Sequence, residues 1–178
     1  MIRNTLNKTK CLVGTPLLLL IIMVSFAGCS TNSKQDGQII SEGGQVGLTP
    51  EKSREEYKKE AESLELPAGF SWPDASKKIP EKFDDGKGIY YGIGNGTEEA
   101  DHVYFCSWAK VYLKSTDETL KQKALSSIDF WKTLPEYTTF YDENTRKIAD
   151  KEINDAKLGD LTGLQRDISL NCDSSDAN

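Results

Sequence analysis

Behind a polar start that carries Arg3, Lys8 and Lys10, residues 12–28 read Leu-Val-Gly-Thr-Pro-Leu-Leu-Leu-Leu-Ile-Ile-Met-Val-Ser-Phe-Ala-Gly and stop at Cys29. A basic segment, an apolar segment and small residues before a cut site form an export signal. The apolar run is short for a membrane span and is broken by Gly14 and Pro16. Ala27 and Gly28 let the backbone lie extended in a peptidase cleft. Two constraints follow for everything downstream. Residues 1–28 are expected to take no part in the fold, and the remainder folds where thiols oxidise.

Phe26-Ala27-Gly28-Cys29 resembles the lipobox of bacterial lipoprotein precursors, with Phe26 where that family usually carries Leu. The resemblance implies that the Cys29 thiol is diacylglycerated and the chain cut just before it. The mature protein is then extracytoplasmic and lipid-anchored to the bacterial cell membrane through acyl chains on Cys29. Two acyl chains suffice for stable anchoring, where one is marginal. After removal of the signal and with Cys29 lipidated, only Cys106 and Cys172 remain, an even pair in an exported chain, which reads as a disulfide. The bridge would close a loop of 66 residues and contribute ~4 kcal/mol in the chain-entropy model. Metal is the rival reading, because His102 and Cys106 at i, i+4 share a helix face. His102 is the only histidine, however, and no second ligand pair has zinc-like spacing, so no metal site is expected.

Residues 30–48 are rich in Ser, Gly, Gln and Asn, too polar to offset their ordering entropy, and are expected to form a flexible tether after Cys29. Thr49-Pro50-Glu51 looks like a helix start. Over residues 49–65 that helix is heavily charged, with only Tyr57, Ala61 and Leu64 as a thin apolar stripe. The expectation is a stalk helix docked weakly or not at all.

The globular domain is expected over 66–178 as a mainly α fold, a small bundle of four or five helices with a loop-rich N-terminal entry and one disulfide. Leu66-Pro67-Ala68-Gly69-Phe70-Ser71-Trp72-Pro73 opens it as an extended, turn-rich segment. The stretch through Gly96 reads as loop, with Ile89-Tyr90-Tyr91 as one short strand. A central helix starts at Asn95 or Thr97 and reaches Leu113, with Ala100, Val103, Tyr104, Phe105, Trp108, Ala109 and Val111 on a broad apolar face. Ser115 and Glu118 form a capping box for the next helix, which carries Leu120, Ala124, Ile128 and Trp131 on one face and ends before Pro135. Glu136–Phe140 reads as a loop. A helix over 142–158 follows, with Ile148, Ala149, Ile153 and Ala156 apolar and Gly159 as its C-terminal cap. Thr162 and Gln165 offer a capping box for a short last helix with Leu164 and Ile168.

The motif Leu66–Pro73, then Phe105-Cys106-Ser107-Trp108, then Asn171-Cys172 is similar to a group of small actinobacterial lipoproteins of unknown function. The likeness spans roughly 66–172 and implies no activity. It groups the two cysteines and the nearby tryptophans as one structural unit.

Charge narrows the function. Net charge is −6 over the chain and −9 once the three basic residues of the first 28 are set aside. That excludes a nucleic-acid backbone as partner, which needs a basic face, and provides no pull toward anionic lipid headgroups. Gly92-Ile93-Gly94-Asn95-Gly96 before a helix is an anion-cradling arrangement. It lacks the surrounding strand and third glycine of a nucleotide fingerprint, and reads as a loop needing positive φ. Asp150, Glu152, Asn154 and Asp155 alternate like a calcium loop but lie on a helical pattern without the required glycine, so they read as a solvated helix face. No Gly-x-Ser-x-Gly elbow is present, and His102 reads as hydrogen-bonded structure. No catalytic constellation and no cofactor motif emerges. Trp72, Tyr90 and Tyr91 are candidates for lining a ligand groove, although such residues more often fill a core. The reading is a membrane-anchored binding or interaction module for an unknown protein or small-molecule ligand. An accessory subunit of a cell-envelope complex is the alternative, and a cell-envelope hydrolase is less favoured.

Overall fold

The computed structural model describes residues 38–40 and 46–172; the segment expected to be an export signal and Cys29 lie outside them. The described residues fall within a single compact unit. The elements run β1 (Gln38–Ile40), β2 (Val46–Leu48), α1 (Pro50–Ser63), α2 (Ala75–Lys78), α3 (Asn95–Lys114), α4 (Glu118–Trp131), a five-residue π turn (Glu136–Phe140), α5 (Glu143–Lys157) and α6 (Thr162–Asn171). The chain is mainly helical, a small bundle around α3, as its patterning predicts. No helix among the described residues is long and apolar enough to cross a membrane.

Helix α3 is buried on nearly every side, from Ala100 through Tyr112. A helix with that distribution must sit at the centre of its fold. Its C-terminal half joins Ala124, Ile128 and Trp131 of α4, Ile153 and Ala156 of α5, and Leu164 and Ile168 of α6 in the larger core. Leu120 and Ile148, placed on apolar faces by periodicity, are instead exposed. The N-terminal half of α3 builds a second core from Ala100 and Val103 with Tyr57, Ala75 and Ile79.

Tyr57 belongs to α1, which corrects the expectation of a weakly docked stalk. Ser53 and Tyr57 are fully buried, and α1 lies directly on α3. Close approach is the reason. A Cβ at Gly96 would overlap the Ser53 carbonyl oxygen and lie 2.7 Å from the Tyr57 nitrogen, so only glycine lets the two backbones meet. Polar contacts complete the docking: Ser53 Oγ donates to Asn95 Oδ1 at 3.2 Å and Arg54 Nε donates to the Ile79 carbonyl at 2.8 Å.

The segment read as tether is also partly structured. β1 and β2 pair antiparallel, with Gln38 opposite Leu48. Leu48 is buried and exchanges two backbone hydrogen bonds with Tyr91, at 2.8 and 3.1 Å. The strand expected at 89–91 is reduced to that single bridge. A short helix, α2, interrupts what reads as loop; Asp74 caps it, and Ala75 and Ile79 anchor it in the second core.

Helix ends agree in position more than in chemistry. Asp117, not Ser115, caps α4, accepting from the Thr119 and Leu120 amides. Ser115 Oγ instead accepts from the Asp117 amide. Asp142 caps α5, and Gly159 follows that helix at φ 98°, the left-handed conformation expected of a C-terminal cap. Leu161 stands at the cap position of α6 without a side-chain bond, while Asp160 accepts from the Thr162 amide.

Candidate functional site

The Cys106–Cys172 disulfide is formed, with Cα atoms 5.7 Å apart, and ties the end of α6 to the middle of α3. Around it the fold gathers Asp101, His102, Glu136 and Tyr141. Helical spacing puts His102 one turn before Cys106, so the imidazole lies beside the sulfur: His102 Nε2 is 3.4 Å from Cys106 Sγ. The same nitrogen is 2.8 Å from the Asn171 carbonyl oxygen, and Nδ1 is 2.8 Å from Glu136 Oε1.

Glu136 arrives on the π turn, which replaces the expected loop. Its amide donates to Asp101 Oδ2 at 2.9 Å, while the Tyr141 amide closes the wide turn onto the Glu136 carbonyl at 3.0 Å. Arg146 Nη1 donates to the Tyr141 and Tyr137 carbonyls, satisfying oxygens that the short turn leaves unpaired. Glu136 is nearly fully buried, so its carboxylate oxygens need donors. Trp131 Nε1 donates to Oε2 at 2.5 Å, the His102 ring to Oε1, and Tyr141 Oη to Oε1 at 3.4 Å.

Burial by itself disfavours a charged His102. The hydrogen bond and charge of Glu136, together with the Asn171 carbonyl, outweigh it and raise its pKa to about 9. Geometry agrees, because each ring nitrogen faces an oxygen acceptor. Asp101 is fully buried with Oδ1 lacking any partner among the described residues. Burial pushes it up to about 7, against the Glu136 amide that pulls it down. Burial and the nearby Glu136 charge push Tyr141 far above its ordinary value. Glu98 is raised by burial and then by the charges of Glu136 and Glu99.

Two clefts meet here. One, of about 450 Å³, is lined by Glu98, Glu99, His102, Glu136 and Asp167 among others. The second, of about 220 Å³, is more enclosed and lined by Phe105, Trp131, Ile153 and Leu164. Tyr141, Thr145, Asp167 and Asn171 border both.

The structure does not unite Trp72, Tyr90 and Tyr91. Trp72 packs edge-on against Tyr57 and lines a separate groove of about 700 Å³ with Arg54 and Lys58. Tyr91 donates its hydroxyl to the Pro80 carbonyl at 2.7 Å and packs on the second core. Tyr90 stands on the surface, 65% exposed. The glycine loop at 92–96 does cradle an anion, but one of the protein's own. Glu56 accepts from the Gly94 and Gly96 amides at 3.1 and 3.2 Å, and Gly94 takes φ 86°. Asp150–Asp155 lies within α5, where Lys132 pairs with Asp150 and Lys151 with Asp155. His102, Cys106 and Cys172 do present ligand atoms within 4.8 Å of one another, but the two sulfurs are bonded to each other. Asp101, Glu136, Tyr141 and Asp167 are additions that sequence reasoning missed. The i, i+4 pair of His102 and Cys106 marked the place, while the remaining partners come from distant segments with no local signature.

The chain matches no family model, no curated protein and no solved structure.

Proposed function

We propose that this chain is an extracytoplasmic lipoprotein, held at the membrane by acyl chains on Cys29, and that it works as a binding module. Its ligand surface is the double cleft between α3, α5 and α6. The observation that carries this reading is the juxtaposition of an apolar cleft with an acidic one across Tyr141, Thr145, Asp167 and Asn171. The occupant that suits both is a peptide segment of a protein partner with an apolar side chain beside a Lys or Arg. The apolar part enters between Phe105, Trp131 and Leu164, and the cation faces Glu98 and Asp167. Glu98 makes no ion pair among the described residues, and burial with the charges of Glu136 and Glu99 outweighs the opposing His102 in raising its pKa, which favours an incoming cation.

Calorimetry on the full protein, purified from membranes in detergent, tests this with two peptides. One alternates Leu with Lys, and the other alternates Leu with Glu. Selective binding of the first, weakened several-fold by Glu98→Gln with Asp167→Asn and by salt, is expected. Equal binding of both peptides, or of neither, overturns the reading.

A further inference from the structure

We propose that Cys106–Cys172 is an exchangeable, redox-active disulfide, in which Cys172 is the sulfur attacked by an external thiolate and Cys106 the leaving group received by the His102 imidazolium. The inference is independent of the peptide-binding reading, because it rests on the sulfurs and their neighbours alone.

The two sulfurs are unequal. Cys106 is wholly buried in the middle of α3, whereas Cys172 ends α6 and is only partly covered. Its neighbour Asn171 lines the acidic cleft, which makes that cleft the side from which a thiol would approach Cys172. On the buried side His102 Nε2 stands 3.4 Å from Cys106 Sγ and 2.8 Å from the Asn171 carbonyl oxygen, so its one N–H is shared between them. The opposite ring nitrogen is held by Glu136, which is itself fixed by Trp131 and by the bond from its amide to Asp101. The ring therefore lies between sulfur and carboxylate, as in a Cys-His-carboxylate line. The other charged or titratable groups facing His102 are Glu98 and Glu99 of its own helix, Tyr141 beyond the π turn and Asp167 of α6. Disulfide exchange accelerates as the leaving thiol becomes more acidic, and a cation beside a sulfur lowers its pKa.

In the first step a thiolate of an external dithiol bonds to Cys172 Sγ. The Cys106–Cys172 bond breaks, and its electron pair stays on Cys106 Sγ as thiolate. In the second, the other thiolate of the dithiol attacks its own sulfur in the mixed disulfide. Cys172 leaves and takes a proton. The protein cystine has gained two electrons and the dithiol has become a disulfide. The partner class is thus an extracytoplasmic dithiol or its disulfide. The acidic residues Glu98, Glu99 and Asp167 at the approach favour thiols that carry no negative charge.

The experiment equilibrates the full protein in detergent with dithiothreitol redox buffers and counts free thiols by alkylation and mass spectrometry. His102→Gln is expected to make the disulfide at least tenfold harder to reduce, equivalent to ~30 mV for a two-electron couple. Should that variant fail to fold, Cys172→Ser keeps His102 and leaves Cys106 as a lone thiol. Its thiolate absorbance is expected to titrate below pH 7, against an ordinary value of about 8.5. With cystamine, a cationic disulfide, Cys106→Ser is expected to form its mixed disulfide on Cys172 at least tenfold faster than Cys172→Ser forms one on the buried Cys106. Unchanged reduction in His102→Gln, a Cys106 midpoint at or above the ordinary value, or faster capture at Cys106 overturns the proposal.

Discussion

Helices α1 and α5 are both short, heavily charged and poor in apolar residues, yet they reach the core by different means. Helix α5 contributes Ile153 and Ala156 at helical spacing, both almost completely buried, and its charges face outward. Helix α1 buries a serine and a tyrosine, and seats itself because Gly96 lets its backbone touch α3. Its Glu56 then fills the cradle of amides at the start of α3, where a carboxylate meets the positive end of the helix. One helix is held by an apolar stripe, and the other by close packing and an internal cap. The first kind of attachment is written in a single segment. The second needs two segments to be read together.

The comparison can be broken from either side. Ile153→Ala is expected to cost about 4 kcal/mol in urea unfolding, since it empties a fully buried site in the larger core. Gly96→Ala is expected to cost about 3 kcal/mol by overpacking. Amide exchange separates the two. The glycine substitution should raise exchange in α1 far more than in α5, and the isoleucine substitution the reverse. Equal loosening of both helices in either variant would show that the two attachments are one cooperative unit.

A second contrast is in pH. His102 on the α6 side of α3 has its pKa raised from 6.5 to about 9, so its contribution is fully present below pH 6.5 and is lost as pH rises through 9. Asp101, raised to about 7 from 3.8, acts in the same direction at lower pH. Its contribution is present below about pH 4 and lost as pH rises through 7. Unfolding midpoints should therefore fall between pH 6.5 and 9, and His102→Gln should flatten that window by about 2 kcal/mol. A flat wild-type profile there would remove the charged histidine from the account. The smallest effect belongs to Glu56→Gln, expected to cost about 1 kcal/mol, because the amide oxygen still accepts but the charge is gone.

These contrasts explain what was legible beforehand. The span of α3 and its central position follow from its broad apolar face, and α4 to α6 from periodicity and breakers. The disulfide follows from cysteine count and the compartment expected from residues 12–29, without geometry. The docking of α1 was hidden, because Ser53 and Gly96 carry no hydrophobic signal; their contact matters only after both helices exist. The pairing of 38–40 with 46–48 was hidden in a polar setting, its clearest buried anchor being Leu48 against Tyr91. At the site, His102 and Cys106 stood out as an i, i+4 pair. Glu136 did not, because a π turn has no distinctive composition and brings its carboxylate under α3 from 34 residues away. Periodicity also placed Leu120 and Ile148 inward, whereas both are exposed.

The bridge between Cys106 and Cys172 has a mechanical consequence. A force applied at the two ends of the chain enters α3 and crosses the sulfur–sulfur bond to the last few residues. The stretch between the cysteines, which stand 66 positions apart, holds the end of α3, α4, α5 and all of α6; it lies off that path and bears none of the load. Stretching to rupture would therefore fall short of the contour length of the chain by about 220 Å, the extended length of the enclosed segment. Reduction would return that length to the tensioned chain, so a single pulled molecule would report the oxidation state of its cysteines as a step in extension.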